Sequence, residues 1–364
     1  MHIVLIKTSS LGDIVQTFPV VAYLREQLPQ LELTWVVEAR CAELVAAHPQ
    51  VDRLLVVDTR CWRRHPFQWS SYTALWKEAR ALRQCKADLV IDLQGNSKSA
   101  CLSRLLCASR RVGFGRHYVA EWPNLLAMGE RYEPPAGGNV RDDYLWLAAR
   151  AIDGPLVESH ELPSRIDFQI SYDERRQIEQ LLSWATKEPR VPALLLAGSL
   201  WPNKQLSVET LIRFLDQLQK DEQFFWLLAW GDAAEQQMAQ AIASHLPSEA
   251  SCVLPQRLPL VALQQLMDRV PLVLAMDSLP LHLAATTSAA TFGFFGPSLA
   301  QKYGPVGPHH GSVQGSCPYG IDFDKRCPKL RSCPTGACLK QLASEELLAR
   351  FCHWWQRARA EREG

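Results

Sequence analysis

Short, nearly unbroken apolar runs alternate along this chain with longer stretches whose apolar residues recur at helical spacing. In the first half the runs are HIVLIK (2–7), ELTWVV (32–37), RLLVVD (53–58) and DLVIDL (88–93). Between them lie stretches such as VVAYLREQL (20–28) and YTALWKEARALRQC (72–85), which read as helices. A strand that is apolar at every position is buried on both faces. Alternation with helices supplies that cover in a parallel sheet. The pattern predicts an α/β fold.

The alternation loosens near PPAGG (134–138) and DGPLVESHELPSRIDFQI (153–170). It restarts with ALLLAG (193–198), FFWLLAWG (224–231), LVLAMD (272–277) and ATFGFFG (290–296), with helices such as VETLIRFLDQL (208–218) and AAEQQMAQAIASHL (233–246) between. Two α/β halves in succession predict two Rossmann-like domains, over 1–165 and 166–342, facing each other across a cleft. Ligands of such sheets sit at the carboxyl ends of the strands. The last segment, Ser344 to Arg362, reads as one helix with Ser344 placed to cap it and Glu345 and Glu346 in its first turn. It is expected, within residues 343–364, to pack back on the first domain. No internal repeat or low-complexity tract interrupts this plan.

Composition narrows the function classes. Thirty-nine basic against 38 acidic residues leave a formal charge of +1, so nothing in bulk charge points to nucleic acid. No apolar run approaches the ~20 residues that span a bilayer. The amino-terminal run is too short for a signal peptide and leads into a glycine-containing turn. A cytosolic protein is expected. Of eleven Cys, seven are scattered and read as buried thiols, while four cluster between Cys317 and Cys338. A cytosolic setting argues against a disulfide framework.

Four loops carry candidate chemistry. The first is KTSSLGD (7–13), where Gly12 turns the chain and Asp13 opens the next helix. An Asp there serves simply as an N-cap. Facing a substrate, it would instead be held ionised by the helix terminus and ready to accept a proton, with Lys7, Ser9 and Ser10 orienting a substrate beside it. The stretch matches neither GxGxxG nor GxxxxGK[ST]. The second loop is AGSLWPNKQLS (197–207). Gly198, Ser199 and Lys204 offer a backbone N–H, a hydroxyl and a point charge suited to a diphosphate, although a solvated surface loop has the same composition. The third is AMDSLPLHLAATTSA (275–289), where a strand ends at Asp277-Ser278, a helix starts at once, and His282 lies one turn in. Free N–H groups at such a junction favour anions. The fourth is TRCWRRHP (59–66), in which Arg60, Arg63 and Arg64 suit a multiply anionic partner or form a plain basic loop.

Taken in order, these stretches resemble glycosyltransferase family 9, the ADP-heptose:lipopolysaccharide heptosyltransferases. The resemblance rests on KTSSLGD (7–13), DLVIDLQGNSKSA (88–100), RRVGFG (110–115), the Lys204 loop, WGDAAE (230–235), MDSLPLHLAA (276–285) and FFGPS (294–298). KTSSLGD and the arginines of TRCWRRH are most similar to the branch that adds the first heptose to the inner-core Kdo sugar. The resemblance implies a GT-B fold, an inverting transfer and no metal required for it. It implies Asp13 as catalytic base. Ser199, Lys204, Asp277, Ser278 and His282 would lie on the donor side, with Glu235 near the donor ribose. Arg60, Arg63, Arg64 and Arg141 would lie on the acceptor side. The implied partners are an ADP-sugar, a lipid-linked Kdo acceptor and, peripherally, the inner membrane surface. The terminal helix, with Phe351, Trp354 and Trp355 beside Arg350, Arg357 and Arg359, could touch lipid or dock on protein.

Two features depart from the family pattern. Family members usually carry Gly two residues after the donor-motif Asp, where this chain has Leu279, followed by Pro280. Leu279 blocks a close backbone approach and Pro280 removes a donor, which leaves another nucleotide sugar or acceptor as an alternative. A non-catalytic binding protein on the same fold is the rival from another class. The second departure is the set Cys317, Cys327, Cys333 and Cys338, separated by nine, five and four residues. The spacing lacks a CxxC knuckle. These Cys read as reduced thiols in a compact loop, or could close on Zn²⁺ or an iron–sulfur cluster as a structural site.

Overall fold

The structure is a computed structural model that describes residues 1–59, 69–185, 190–221 and 223–363. The chain divides into two compact units, Met1–Ser164 and Arg165–Gly364. The first holds β1 (His2–Ile6), β2 (Glu32–Glu38), β3 (Arg53–Val57), β4 (Lys86–Asp92), β5 (Cys107–Phe114) and β6 (Glu130–Tyr132). All pair in parallel, in the order β3-β2-β1-β4-β5-β6. The runs that are apolar at each position are those buried from both sides: Ile3, Val4, Leu5 and Ile6 of β1 are fully covered. Val4, Ile6, Val36, Val90 and Leu102 share one core layer.

The second unit repeats the plan with β7 (Val191–Leu196), β8 (Phe224–Leu228), β9 (Ser251–Val253), β10 (Leu272–Met276), β11 (Ala290–Phe295) and β12 (His310–Gln314). Its order is β12-β11-β10-β7-β8-β9, again parallel throughout. Read from its own first strand, each sheet has the order of a dinucleotide-binding fold. The strand order reverses between β1 and β4 in one sheet and between β7 and β10 in the other. At such a switch point adjacent loops diverge and leave a crevice. Each is a Rossmann-like unit, as the sequence predicts.

The terminal helix, Ser344–Glu363, packs within the second unit. Leu347, Phe351, Trp354, Trp355 and Ala358 join the core of the second unit, beside Phe214, Phe292 and Phe294. Phe351 meets the rings of Phe292 and Phe214 edge-on, at centroid distances of 5.3 and 5.6 Å. The apolar face complements the aromatic surface of β11, so the aromatics considered for lipid contact are buried within protein. Among the described residues no helix is long and apolar enough to cross a membrane.

Candidate functional site

In the second unit three neighbouring strand ends converge. β7 runs into a loop whose Ser199 is buried and whose one-turn 3₁₀ helix, Pro202–Lys204, ends on Lys204. β10 runs into Asp277, also buried. Lys204 Nζ reaches Asp277 Oδ2 at 2.6 Å, spanning the switch point. The ring of His282, from the helix Leu279–Ala284, stands 3.9 Å from the other Asp277 oxygen. Ser278 caps that helix in extended conformation, donating its hydroxyl to Met276 O at 3.3 Å, and Pro280 occupies the first turn, where its missing N–H has no helical partner to lose. Leu279 begins the helix, half-buried.

Glu235 joins from the end of β8. Its carboxylate accepts the Gly231 N–H at 2.7 Å, and its own N–H is capped by Asp232 at 2.9 Å. Burial pushes the Glu235 carboxyl up, with the Asp232 charge adding to the shift against the Gly231 hydrogen bond and Arg257. A Cβ on Gly198 would fall 2.2 Å from Glu235 Cδ. The missing side chain therefore lets the Glu235 carboxylate lie against the β7 loop. Ser199, Lys204, Glu235, Asp277, Ser278 and His282 thus occupy three adjacent loops at the carboxyl edge of one sheet.

The first unit builds its own switch-point cluster. Ile6 faces Asp92 across β1 and β4, so the chain leaves both strands at one level. Asp13 lies in the short helix Leu11–Val15, but it is not the cap. Ser10 holds that place, and Asp13 Oδ2 accepts from its N–H at 2.9 Å and its hydroxyl at 2.7 Å. The pair closes a capping box that aims the half-buried carboxylate. Lys7 is buried and anchored, donating to Leu93 O at 2.9 Å and to the Tyr144 hydroxyl at 2.7 Å. Tyr144 belongs to the helix Val140–Ile152, and Arg141 lies one turn before it on the same side. Burial pushes the Arg141 guanidinium down to about 10. Arg60, Arg63 and Arg64 lie outside the described residues.

Two residues singled out by no sequence reading shape this loop. Gln94, just past β4, accepts with one oxygen the N–H groups of Thr8 and Ser9 at 3.0 and 3.1 Å. Asp92, fully buried, accepts from Gln94 and Gly95 N–H and from the Asn124 amide at 2.6 Å. Burial pushes its carboxyl up. The signal available was an acid ending an apolar strand before a Gln-Gly-Asn turn.

The four clustered Cys line one cavity of about 250 Å³ in the second unit. Cys338 is pushed up first by burial and then by the nearby Cys333 and Cys317, with Cys327 adding less.

Residues 75–331 match the family described as glycosyltransferase family 9 (heptosyltransferase). The chain is 32% identical over 317 residues to lipopolysaccharide heptosyltransferase 1 of Pseudomonas aeruginosa, covering 86% of this chain and 84% of that one. It is 25% identical over 308 residues to lipopolysaccharide heptosyltransferase 1 of Campylobacter coli, covering 83% and 86%. Among solved structures it is similar to E. coli heptosyltransferase WaaC with ADP, with a TM-score of 0.76 at 20% identity over 97% of this chain and 100% of that one.

Proposed function

The chain belongs to glycosyltransferase family 9, and from that membership we propose that it moves a heptose from ADP-heptose to the Kdo inner core of lipopolysaccharide, with inversion and with Asp13 as general base. The observation that carries this reading is the placement of the candidate residues. The anion-binding types collect at the β7/β10 switch point, and the half-buried Asp13 carboxylate stands at the β1/β4 switch point.

The second unit would hold the ADP diphosphate. Lys204, kept in place by Asp277, supplies a charge-assisted hydrogen bond, while Ser199 and the N–H groups after Ser278 supply neutral ones. Glu235 would meet a ribose hydroxyl. The first unit would take the acceptor. Its hydroxyl gives its proton to Asp13 as the oxygen attacks the anomeric carbon. The bond from that carbon to the β-phosphate oxygen breaks with its electron pair leaving on ADP. General-base help of this kind is worth ~10²–10⁴-fold. Charge building on the leaving phosphate is met by Lys204, a preorganised donor. Lys7, Ser9, Ser10 and Arg141, with Arg60, Arg63 and Arg64, would orient an acidic Kdo sugar. Lys7 does so from a fixed position, since its ammonium is tied to Leu93 and Tyr144. Because the acceptor is lipid-linked, the enzyme would work on the cytoplasmic surface of the inner membrane.

Leu279 supports a second reading, the same transfer from another nucleotide sugar. It fills the first helical position after Asp277-Ser278, where a glycine would leave room. The test is incubation with deacylated Kdo-lipid A and each of ADP-heptose, ADP-glucose and UDP-glucose, followed by mass spectrometry. A heptose added from ADP-heptose alone supports the first reading. A hexose added in its place supports the second, and no product from any donor overturns both.

A further inference from the structure

The proposed transfer gives the Cys loop no role, yet its course is closely specified. Residues 315–336 form neither helix nor regular strand, so their course is set by turns. Two of these turns share one design, Cys-Pro-Tyr-Gly (317–320) and Cys-Pro-Thr-Gly (333–336). In each the glycine is left-handed, with φ of +68° at Gly320 and +61° at Gly336, a conformation that a side chain would strain. In the second turn the Gly336 N–H donates to Cys333 Sγ at 3.4 Å. A third Cys-Pro pair begins at Cys327, and Cys338 lies in the one-turn helix Ala337–Lys340.

All four thiols line the same cavity, together with Lys329 and apolar walls from Pro297, Ile321 and Phe323. We propose that Cys317, Cys327, Cys333 and Cys338 form a four-thiolate site for one tetrahedral metal ion, zinc or iron, that anchors the turn carrying Lys204. Soft thiolates in a tetrahedral set select these metals. A backbone N–H aimed at sulfur is the kind of outer contact that supports a thiolate ligand. Four thiolates around a divalent ion leave two negative charges, and Lys329 stands in the wall to offset one of them.

As they stand, no three His, Cys, Asp or Glu side chains among the described residues converge enough to hold an ion. Metal–sulfur bonds of about 2.3 Å require sulfurs about 3.8 Å apart. The turns on either side must therefore draw inward on binding, while the Ser298–Arg326 bridge, closed by the Cys327 N–H on Pro297 O at 2.8 Å, holds the middle of the segment. Metal sites in small loops commonly complete their geometry only with the ion.

The cavity also touches the donor side. Asn203, one residue before Lys204, lines it and donates its amide to Leu330 O at 2.5 Å. Gly336 packs so closely on Asn203 that a Cβ would come within 2.7 Å of its Cα. Fixing the Cys loop thus fixes the residue next to Lys204. The metal site stands without the donor assignment, and only its effect on ADP rests on that reading.

The test is elemental analysis of the full chain, purified without a metal column or chelator, followed by release with a thiol-blocking mercurial. One zinc or iron per chain is expected, released as four thiols react. Cys333→Ser and Cys338→Ser should lose it, while Cys101→Ser, an exposed cysteine outside the cluster, should keep it. Should the cluster variants not fold, cobalt added to chelator-stripped native protein should give thiolate-to-cobalt charge-transfer absorption. A native protein with metal well below one per chain, four thiols that react at once and no cobalt band overturns the site. ADP affinity should fall about tenfold on stripping, the worth of one charge-assisted hydrogen bond. Metal present with ADP affinity unchanged on removal overturns the anchoring role. Metal present with no ADP binding in either state overturns the donor reading and leaves the site intact.

Discussion

Replacing Lys204 with Met should damage both stability and donor binding, and the two losses can be separated. The Lys204 and Asp277 side chains are 13% and 5% exposed, and they meet at 2.6 Å. Removing the ammonium leaves a carboxylate buried without its countercharge. Breaking a buried pair from one side costs about 3–5 kcal/mol, mostly the desolvation of the orphaned partner. For a unit of this size each kcal/mol moves the midpoint by about 2–4 °C, so the second unit should melt roughly 6–20 °C lower. The double variant Lys204→Met/Asp277→Asn removes the orphaned charge and should recover more than half of that loss. It should not recover ADP affinity, which falls about 10–150-fold with the loss of a charged hydrogen bond worth about 1.5–3 kcal/mol. Thermal unfolding by tryptophan fluorescence and ADP titration by calorimetry read the two separately. A Lys204→Met protein that melts at the native temperature and binds ADP normally would refute the reasoning.

Two further outcomes follow from packing and burial. His48 is buried against the ring of Phe18, with Nδ1 accepting the Gln50 N–H, and burial holds its pKa down at about 4 against an ordinary 6.5. The unfolded chain thus binds the extra proton first, so stability of the first unit falls as pH drops from 6.5 to 4. The loss reaches about 3 kcal/mol, and His48→Gln should flatten urea-unfolding free energies across that window. Phe351→Ala should cost about 3–5 kcal/mol in the second unit. It should lower the melting transition that ADP raises, whereas a helix docked on the first unit would leave that transition in place.

Most of the legible strands are covered on both faces: β1, β2, β4, β7, β8, β10 and β11 read as apolar runs because helices hide each side of them. β3 reads as a strand too, from its aliphatic RLLVV, although it is a partly exposed edge. β5 was not read as a strand because Arg110 and Arg111 interrupt it. Their heads are spent on Glu130 and on the carbonyls of Ser103, Leu106 and Ala108, contacts that no local pattern reveals. β6 and β9 are edges of three residues each, and the edge strand β12, HGSVQ, has Val313 as its one large apolar position, too few to make a run. The site divides in the same way. Loops after strands were readable from glycine, Asp-Ser and Lys signals. Gln94 gripping Thr8 and Ser9, and Lys204 gripping Asp277, are pairings across tens of residues that only the sheet order brings about. The helix Ser344–Glu363 showed which face was apolar, but complementarity to Phe292 and Phe214 decided which core received it.

In the proposed reaction Asp13 removes the proton and the other unit binds the donor. Asp13→Asn keeps the size of the side chain and an oxygen to accept from Ser10, so the loop should survive. The direct measurement is the single-turnover rate of this variant on ADP-heptose and deacylated Kdo-lipid A, with its ADP affinity taken in parallel. A rate lower by ~10²–10⁴-fold at unchanged ADP affinity is expected. A rate equal to that of the native protein would contradict the assignment.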